Sequence, residues 1–225
     1  MGFNIAIDGP AGAGKSTIAK RVAKELSFIY VDTGAMYRAM ALYMINTGIS
    51  PENTDAIREH CTGARITIHY ENGEQVVVLN GKKVNAFLRR EEVGNMASVS
   101  SAVPEVRAHL LQLQRNLAAE NNVVMDGRDI GTTILPEAEV KIYLTASADT
   151  RARRRVRELE EKGLNCDFEE IKKDIIERDT RDMNREVSPL RQAEDAILLD
   201  SSDLTIEQVV ESILDIFKQK TTQKM

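Results

Sequence analysis

The chain has 225 residues, which suits one sizeable domain or a core with an inserted segment. Its 30 lysines and arginines against 35 aspartates and glutamates give a formal net charge of −5, which argues against a protein that holds nucleic acid by general phosphate attraction. The two distant cysteines, Cys61 and Cys166, and three histidines support neither a zinc site nor a disulfide scaffold. The sequence shows no signal-peptide pattern and no run of about 18 apolar residues, so we expect a cytoplasmic protein without a membrane span.

The first predicted elements are a strand over the apolar run Phe3 to Ile7 and a helix over Thr17 to Leu26. Between them, residues 9–16 read GPAGAGKS and fit the phosphate-binding pattern G-x-x-x-x-G-K-[ST]. Glycines let backbone N–H groups converge on an anion, and the helix N-terminus adds partial positive charge. Lys15 is then expected to reach the outer phosphates and Ser16 to help hold Mg²⁺. The pattern indicates a bound triphosphate but not the reaction.

The next predicted strand, Phe28 to Val31, runs into a helix that continues to about Asn46. Between about residues 60 and 100, apolar and polar residues alternate with period two, and Asn-Gly pairs at 72–73 and 80–81 interrupt them. This pattern predicts a small antiparallel hairpin, inserted into a chain that otherwise alternates strand and helix. The sequence leaves open whether the insertion serves a site or only decorates the surface.

The remaining pattern alternates helices with buried strands. Helical periodicity covers Arg89 to Glu120, with a helix start at Pro104, and a charged helical region follows residue 145, breaks at Gly163 and resumes from Asp167 to about Arg185. The further strands are expected at Val123–Met125, Val140–Leu144 and Ala196–Asp200, before a closing amphipathic helix. Five short strands that alternate with helices predict an α/β fold, a doubly wound five-stranded parallel sheet flanked by helices.

Polar side chains follow three of these strands, at the edge where such sheets bind ligands. The phosphate-binding pattern follows the first strand, Thr33 and Arg38 follow the second, and Asp126, Arg128 and Asp129 follow the third. Asp126 is placed either to hold Mg²⁺ or its waters, or simply as a turn aspartate before Gly127.

Two arginine clusters each allow two interpretations. The arginines between 151 and 157 form either a solvated helix face, balanced by glutamates at 158, 160 and 161, or a mobile arm that brings positive charge onto a transferring phosphoryl group. Arg178, Arg181, Asp182 and Arg185 have the spacing of one helix face. That face either binds an outside anion or is partly neutralised by pairing of Arg178 with Asp182.

Four segments, taken together, resemble the bacterial cytidylate kinases of the nucleoside monophosphate kinase group. They are residues 7–16 (IDGPAGAGKS), 32–38 (DTGAMYR), 126–132 (DGRDIGT) and 177–185 (ERDTRDMNR). The first is generic to phosphate-loop proteins, whereas the second and third together are quite specific. The resemblance implies a core of about 1–59, 101–150 and 186–225, an inserted monophosphate-binding subdomain at about 60–100, and a helical, arginine-rich lid at about 151–185.

The resemblance also implies roles for individual residues. Those implied to bind ATP are Gly9, Pro10, Ala11, Gly12, Ala13, Gly14, Lys15, Ser16 and Thr17. Those implied to bind CMP are Arg38, Arg128 and Arg185 at its phosphate, Ser98, Arg107 and Asp129 at cytosine, and Arg178, Asp182 and Thr33 at the sugar. Catalysis is assigned to Lys15, Arg128, Arg178 and Arg185, and the metal to Ser16 and Asp126.

The implied activity is Mg²⁺- and ATP-dependent phosphorylation of CMP and dCMP by a monomer that binds neither nucleic acid nor a membrane. The nearest alternative is another small phosphate-loop kinase with a different monophosphate acceptor. A guanine-specific switch is disfavoured because no Asn-Lys pair occurs in the sequence. Nucleic-acid binding through the arginine run conflicts with the acidic total.

Overall fold

The computed structural model describes residues 2–222, whose main-sheet strands are separated along the chain by helices, as the sequence predicts. The strands are β1 (Asn4–Asp8), β2 (Ile29–Asp32), β3 (Ile66–Glu71), β4 (Glu74–Leu79), β5 (Lys82–Lys83), β6 (Val123–Gly127), β7 (Val140–Thr145) and β8 (Ile197–Asp200). The helices are α1 (Lys15–Leu26), α2 (Thr33–Asn46), α3 (Thr54–His60), α4 (Glu91–Ser100), α5 (Pro104–Glu120), α6 (Ala148–Glu161), α7 (Phe168–Asn184) and α8 (Ile206–Thr222). Within residues 2–222, no helix is both long enough and apolar enough to cross a membrane.

The main sheet has five strands in the order β2-β6-β1-β7-β8, so β1 is central. β7 pairs in parallel with both β1 and β8, with Ile7 opposite Ile142 and Ile142 opposite Ile197. The inner strands are continuous apolar runs because helices cover both faces of such a sheet, and Ile5, Ile7 and Leu144 are fully buried. The predicted five-stranded parallel α/β fold is therefore confirmed.

The chain divides into two compact units. One, the insert unit, comprises Ile29–Val123 with Gly2 and so contains β2 to β5 and α2 to α5. The other, the loop unit, comprises Phe3–Phe28 and the chain from Val124 onward, with α1, α6, α7 and α8 and most of the sheet. The subdivision expected from the sequence, into core, inserted subdomain and lid, stays a prediction.

The predicted hairpin is confirmed within the insert unit. β3 and β4 pair antiparallel from Ile66 opposite Leu79 to Glu71 opposite Glu74, and β5 adds a short third strand. Asn72 and Gly73 have φ values of 52° and 79°, and Asn80 and Gly81 have 49° and 80°. A two-residue turn with positive φ at both positions matches the strand twist, and asparagine and glycine tolerate that conformation best.

The predicted helical face at residues 178–185 needs correction. α7 ends at Asn184, and Arg185 follows with φ −65° and ψ 142°, outside the helix. The chain turns back here because the Leu190 N–H, rather than a continuing helical N–H, donates to the Asp182 carbonyl oxygen at 2.8 Å. Arg181 is exposed whereas Asp182 is buried, so the four residues do not form one face.

Candidate active site

The phosphate-binding pattern occupies the turn between the central strand β1 and helix α1, as predicted. Gly9 has φ +149°, and a Cβ there would lie 1.9 Å from the Leu144 carbonyl oxygen, so this position requires glycine. Gly12 and Gly14 also have positive φ, and Gly14 immediately precedes α1. No side chain among residues 2–222 caps this helix N-terminus, and its first turn holds no acidic residue. Its N–H groups and partial positive charge suit an anion.

Lys15 is buried beneath this loop, where its Nζ donates to the Pro10 carbonyl oxygen at 2.7 Å. Burial and, next, the Arg128 guanidinium lower the pKa of the Lys15 ammonium well below its ordinary range, while Asp126 and Asp8 oppose the shift. A bound phosphate would bring negative charge and raise the pKa of the Lys15 ammonium again. The site is thus cation-rich and adapted to an anion.

Ser16 and Asp126 are adjacent, as the predicted metal pair requires. The Ser16 hydroxyl donates to Asp126 Oδ2 at 2.9 Å, and Asp126 is buried near the end of β6. Mg²⁺ is typically held by one or two carboxylates or hydroxyls together with waters and substrate phosphates. These oxygens fit that chemistry. Residues 2–222 contain no cluster of three or more acidic, histidine or cysteine side chains that could hold a metal by themselves.

Two of the three arginines proposed for the acceptor phosphate, Arg128 and Arg185, form ion pairs with aspartates of the loop unit. Arg128 Nε lies 2.9 Å from Asp182 Oδ2, and Arg185 Nη2 lies 3.5 Å from Asp129 Oδ1. The sequence raised pairing of Asp182 with Arg178, and the structure shows that Arg128 donates a hydrogen bond to Asp182. Arg178 lies close enough to Lys15 to help lower its pKa. Lys15, Arg128 and Arg178 are therefore gathered in one place.

The arginines of α6 differ in their contacts: some form exposed ion pairs on the helix surface, and others bond to the backbone of neighbouring segments. Arg155 pairs with Glu158 at 2.8 Å and Arg157 with Glu161 at 3.0 Å, and all four side chains are exposed. For these two arginines the solvated-face interpretation is correct. Arg154 donates to the Ser201 carbonyl oxygen at 2.7 Å, next to the end of β8.

Arg151, in contrast, is buried and links three parts of the loop unit. Its Nη2 lies 2.6 Å from Asp179 Oδ2 on α7, and its Nη1 and Nε donate at 2.9 Å to the carbonyl oxygens of Ala11 and Ala146. One guanidinium thus joins the phosphate loop to α7, the helix that carries Arg178 and Asp182. Sequence reasoning did not separate Arg151 from its neighbours, because burial of an arginine on a charged helix leaves no pattern.

Asp8 is a second residue that sequence reasoning missed. Its two carboxylate oxygens accept hydrogen bonds from the backbone N–H groups of Ile130 and Gly131, at 2.8 and 2.7 Å. It therefore fixes the turn that follows Arg128 and Asp129. Burial, which outweighs these hydrogen bonds, raises the pKa of Asp8 from the usual 3.8 to about 6. Its position as the last residue of a central strand was the available signal.

The other predicted residues lie in the insert unit. Thr33 begins α2 and is buried, Arg38 is half-buried one turn further on, and Ser98 is buried on α4, which packs against α2. The buried Arg107 of α5 places its guanidinium over the Tyr37 ring at 5.3 Å and donates to the Ser101 carbonyl oxygen at 3.3 Å. Four candidate residues are thus collected in this unit.

The sequence model of the cytidylate kinase family matches residues 5–219. The chain belongs to the cytidylate kinase family. It is 50% identical over 215 residues to the cytidylate kinase of Caldicellulosiruptor saccharolyticus, covering 96% of this chain and 95% of that one. It is 50% identical over 218 residues to that of Carboxydothermus hydrogenoformans, with 97% and 98% coverage, and 46% identical over 222 residues to that of Shouchella clausii, with 99% coverage of both.

Among solved structures, a gluconokinase from Sinorhizobium meliloti 1021 is similar in fold. The TM-score is 0.50 at 12% sequence identity, and the match covers 99% of this chain and 95% of that one. At this identity the similarity shows the fold alone. It agrees with a phosphate-loop α/β architecture built around β1.

We expect the buried Asp8 carboxyl to make stability depend on pH. Because its folded pKa of about 6 exceeds the usual 3.8, the folded protein keeps a proton that the unfolded chain has lost between these values. Stability therefore falls as pH rises from about 4 to about 6, by up to about 3 kcal/mol, and then levels off. The measurement is urea unfolding of the wild type and of Asp8→Asn, which lacks the ionisation, at about pH 4.5 and about pH 7.5. A difference in unfolding free energy between the two proteins that stays constant with pH would contradict the assignment.

We also expect Arg151→Met to destabilise the protein by about 3–5 kcal/mol, because it leaves the buried Asp179 carboxylate without its cationic partner. Arg157→Met on the same helix is the control, since Arg157 forms an exposed pair, and it should cost less than about 0.5 kcal/mol. The double variant Arg151→Met, Asp179→Asn should recover part of the loss, because no charge remains buried alone. Denaturant unfolding measures all three, and equal effects of Arg151→Met and Arg157→Met would disprove the buried pair's role.

Proposed function

We propose that this chain catalyses transfer of the γ-phosphoryl group of ATP to CMP, giving ADP and CDP. The observation that carries the proposal is the match of the cytidylate kinase family to residues 5–219, nearly the whole chain. The phosphate-loop geometry supports it, because Lys15, Ser16 and Asp126 are assembled around an anion-adapted helix N-terminus.

In this proposal the loop unit binds the donor. Residues 9–17 surround the ATP phosphates, and Ser16 and Asp126 would hold Mg²⁺. When bound, the metal would neutralise part of the negative charge of the phosphates. The pKa of Lys15 is lowered in the protein alone, and the triphosphate raises it again, since nearby negative charge favours the ammonium.

The acceptor is proposed to bind to arginines that, without substrate, form ion pairs with aspartates. Arg38, Arg128 and Arg185 bind the CMP phosphate, a task that suits bidentate guanidinium groups, and Arg178, Asp182 and Thr33 meet the sugar. The pairs Arg128–Asp182 and Arg185–Asp129 support this role, because they hold the arginines in place with limited exposure. Exchange of a carboxylate partner for phosphate then costs little reorganisation.

Cytosine is proposed to be read by Ser98, Arg107 and Asp129. Its Watson–Crick edge has an amino donor beside ring-nitrogen and carbonyl acceptors, so a carboxylate accepts from the amino group and an arginine donates to the acceptors. Uracil reverses the donor and acceptor at two of these positions and would leave buried groups unpaired. Such pairing can discriminate by about 10⁴-fold in favourable cases.

Transfer itself requires little beyond positioning and charge. An oxygen of the CMP phosphate attacks the γ-phosphorus in line, the bond to the β-phosphate oxygen breaks, and ADP leaves with that oxygen. Lys15, Arg128, Arg178 and Arg185 stabilise the negative charge spread over the transferring group. The acceptor phosphate is already anionic, so no general base is needed.

The proposal extends to dCMP as a second acceptor and to a monomer that works in the cytoplasm without nucleic acid or membrane. We further propose that residues 60–100 and 151–185 move as monophosphate-binding subdomain and lid to exclude water during transfer. The competing assignment, a phosphate-loop kinase for another monophosphate, predicts the same loop with a different acceptor preference. The family match does not favour it.

The test is ADP release with CMP, dCMP, UMP, AMP and GMP as acceptors, measured by a coupled assay. We expect CMP and dCMP to be the best acceptors, because only cytosine satisfies the proposed carboxylate and guanidinium pairing. Activity with AMP or GMP and none with CMP or dCMP would refute the proposal.

A second prediction concerns Asp129. We expect Asp129→Ala to raise the KM for CMP by roughly 10- to 100-fold, the effect of losing a charged hydrogen bond, while the affinity for an ATP analogue stays unchanged. Asp203→Ala removes an exposed aspartate of the same unit and serves as the control. Unchanged CMP kinetics in Asp129→Ala would mean that another residue reads the base.

A further inference from the structure

The tip of the inserted hairpin contacts the backbone at the end of β2. Gln75 Oε1 accepts from the Asp32 N–H at 2.9 Å, and Gln75 Nε2 donates to the Asp32 carbonyl oxygen at 3.1 Å. The Tyr70 hydroxyl donates to the Tyr30 carbonyl oxygen at 3.1 Å. Tyr70 and Gln75 face each other across β3 and β4, so both contacts come from one cross-strand pair. We call these three hydrogen bonds the hairpin latch.

The latch satisfies backbone groups in the way that a neighbouring strand would. β2 is an edge strand of the main sheet, and residues 30 and 32 present their polar groups on the same side because strand residues alternate. A primary amide reproduces both halves of a strand pairing at Asp32. Burial raises the pKa of Tyr70, which keeps its hydroxyl a donor. The hairpin thus fixes the position of β2's last residues through specific contacts rather than general packing.

Asp32 in turn sets the start of α2. Its Oδ1 accepts from the Ala35 N–H at 2.9 Å and caps the helix, whose first residue is Thr33. A Cβ at Gly34 would meet both Asp32 Oδ1 and Arg38 Nη1 at 3.2 Å, so these two atoms flank the same Cα of the first turn. Displacement of Asp32 would therefore move the first turn of α2, and with it the position of the Arg38 guanidinium.

We propose that Gln75 and Tyr70 are positioning residues for the acceptor phosphate, acting through Asp32 and the first turn of α2 on Arg38. This inference rests on the proposed function, in which Arg38 binds the phosphate of CMP. In this proposal the inserted hairpin serves the acceptor site and is not only a surface feature. Neither Gln75 nor Tyr70 touches substrate in this scheme.

The experiment compares Gln75→Met, which keeps an unbranched side chain of similar length but loses both hydrogen bonds, with Lys83→Met. Lys83 lies on the same hairpin in an exposed pair with Glu71, so its substitution alters the hairpin without touching the latch. We expect kcat/KM for CMP to fall roughly tenfold in Gln75→Met, mainly through KM, as the loss of two hydrogen bonds implies. Affinity for an ATP analogue should not change. Lys83→Met should match the wild type, and equal behaviour of the two variants would overturn the proposal.

A double-mutant cycle separates positioning from a merely structural effect. If Gln75 acts through Arg38, Gln75→Met should add little to the loss of kcat/KM caused by Arg38→Ala. Full additivity of the two losses would overturn the proposal.

Amide hydrogen exchange of residues 33–38, measured without substrate, should be faster in Gln75→Met and unchanged in Lys83→Met. This readout does not depend on activity, so an inactive wild type with CMP would refute the proposed function, whereas unchanged exchange in Gln75→Met would refute the latch.

Discussion

Buried positive charge is the constraint on which the loop unit depends. Lys15 and Arg151 are buried and Arg128 is four-fifths so, and like charges in a medium of low polarity repel strongly unless carboxylates lie beside them. The unit supplies those carboxylates at close range: Asp126 near Lys15, Asp182 on Arg128, and Asp179 on Arg151. The carboxylates do not fully offset the cost of burying the Lys15 charge, so burial and, next, Arg128 still lower the pKa of Lys15. A protein arranged in this way gains most when an anion arrives.

Buried charged side chains also hold the proposed catalytic elements together. Arg151 reaches from α6 to the Ala11 carbonyl oxygen and to α7, and Asp8 reaches from β1 to the turn after Asp129. In each case a buried charge bonds to backbone or to an opposite charge, so its position is specified closely. The phosphate loop, the residues after β6 and the face of α7 are therefore linked by side chains that take no direct part in the proposed transfer. That arrangement is a preorganised electrostatic site, in which charge is placed before the reaction begins.

In the insert unit, placement relies on hydrogen bonds between side chains and backbone groups. The hairpin latch fixes the end of β2, the Asp32 carboxylate caps α2, and Arg107 is held against Tyr37 and the Ser101 carbonyl oxygen. Two of the proposed acceptor residues of this unit, Thr33 and Arg38, are thus carried by a helix whose start is fixed by a specific contact. Sites supported in this way are more accurately placed than sites on free loops.

The sequence by itself determined the order of elements, the parallel five-stranded sheet, the Asn-Gly turns of the hairpin and the phosphate loop, because all of these follow from local periodicity and turn chemistry. It also proposed both metal-binding residues, Ser16 from the phosphate-binding pattern and Asp126 from its place at the end of a strand. It was wrong about the face from Arg178 to Arg185, because the helix ends at Asn184 and the backbone turns back so that the Leu190 N–H bonds to the Asp182 carbonyl oxygen. Only the tertiary structure distinguished Arg151 from the other arginines of α6, paired Arg128 with Asp182, and assigned Asp8 and Gln75 to backbone groups. Burial and the choice among several possible ion-pair partners depend on which segments meet in space, and local sequence carries no record of that.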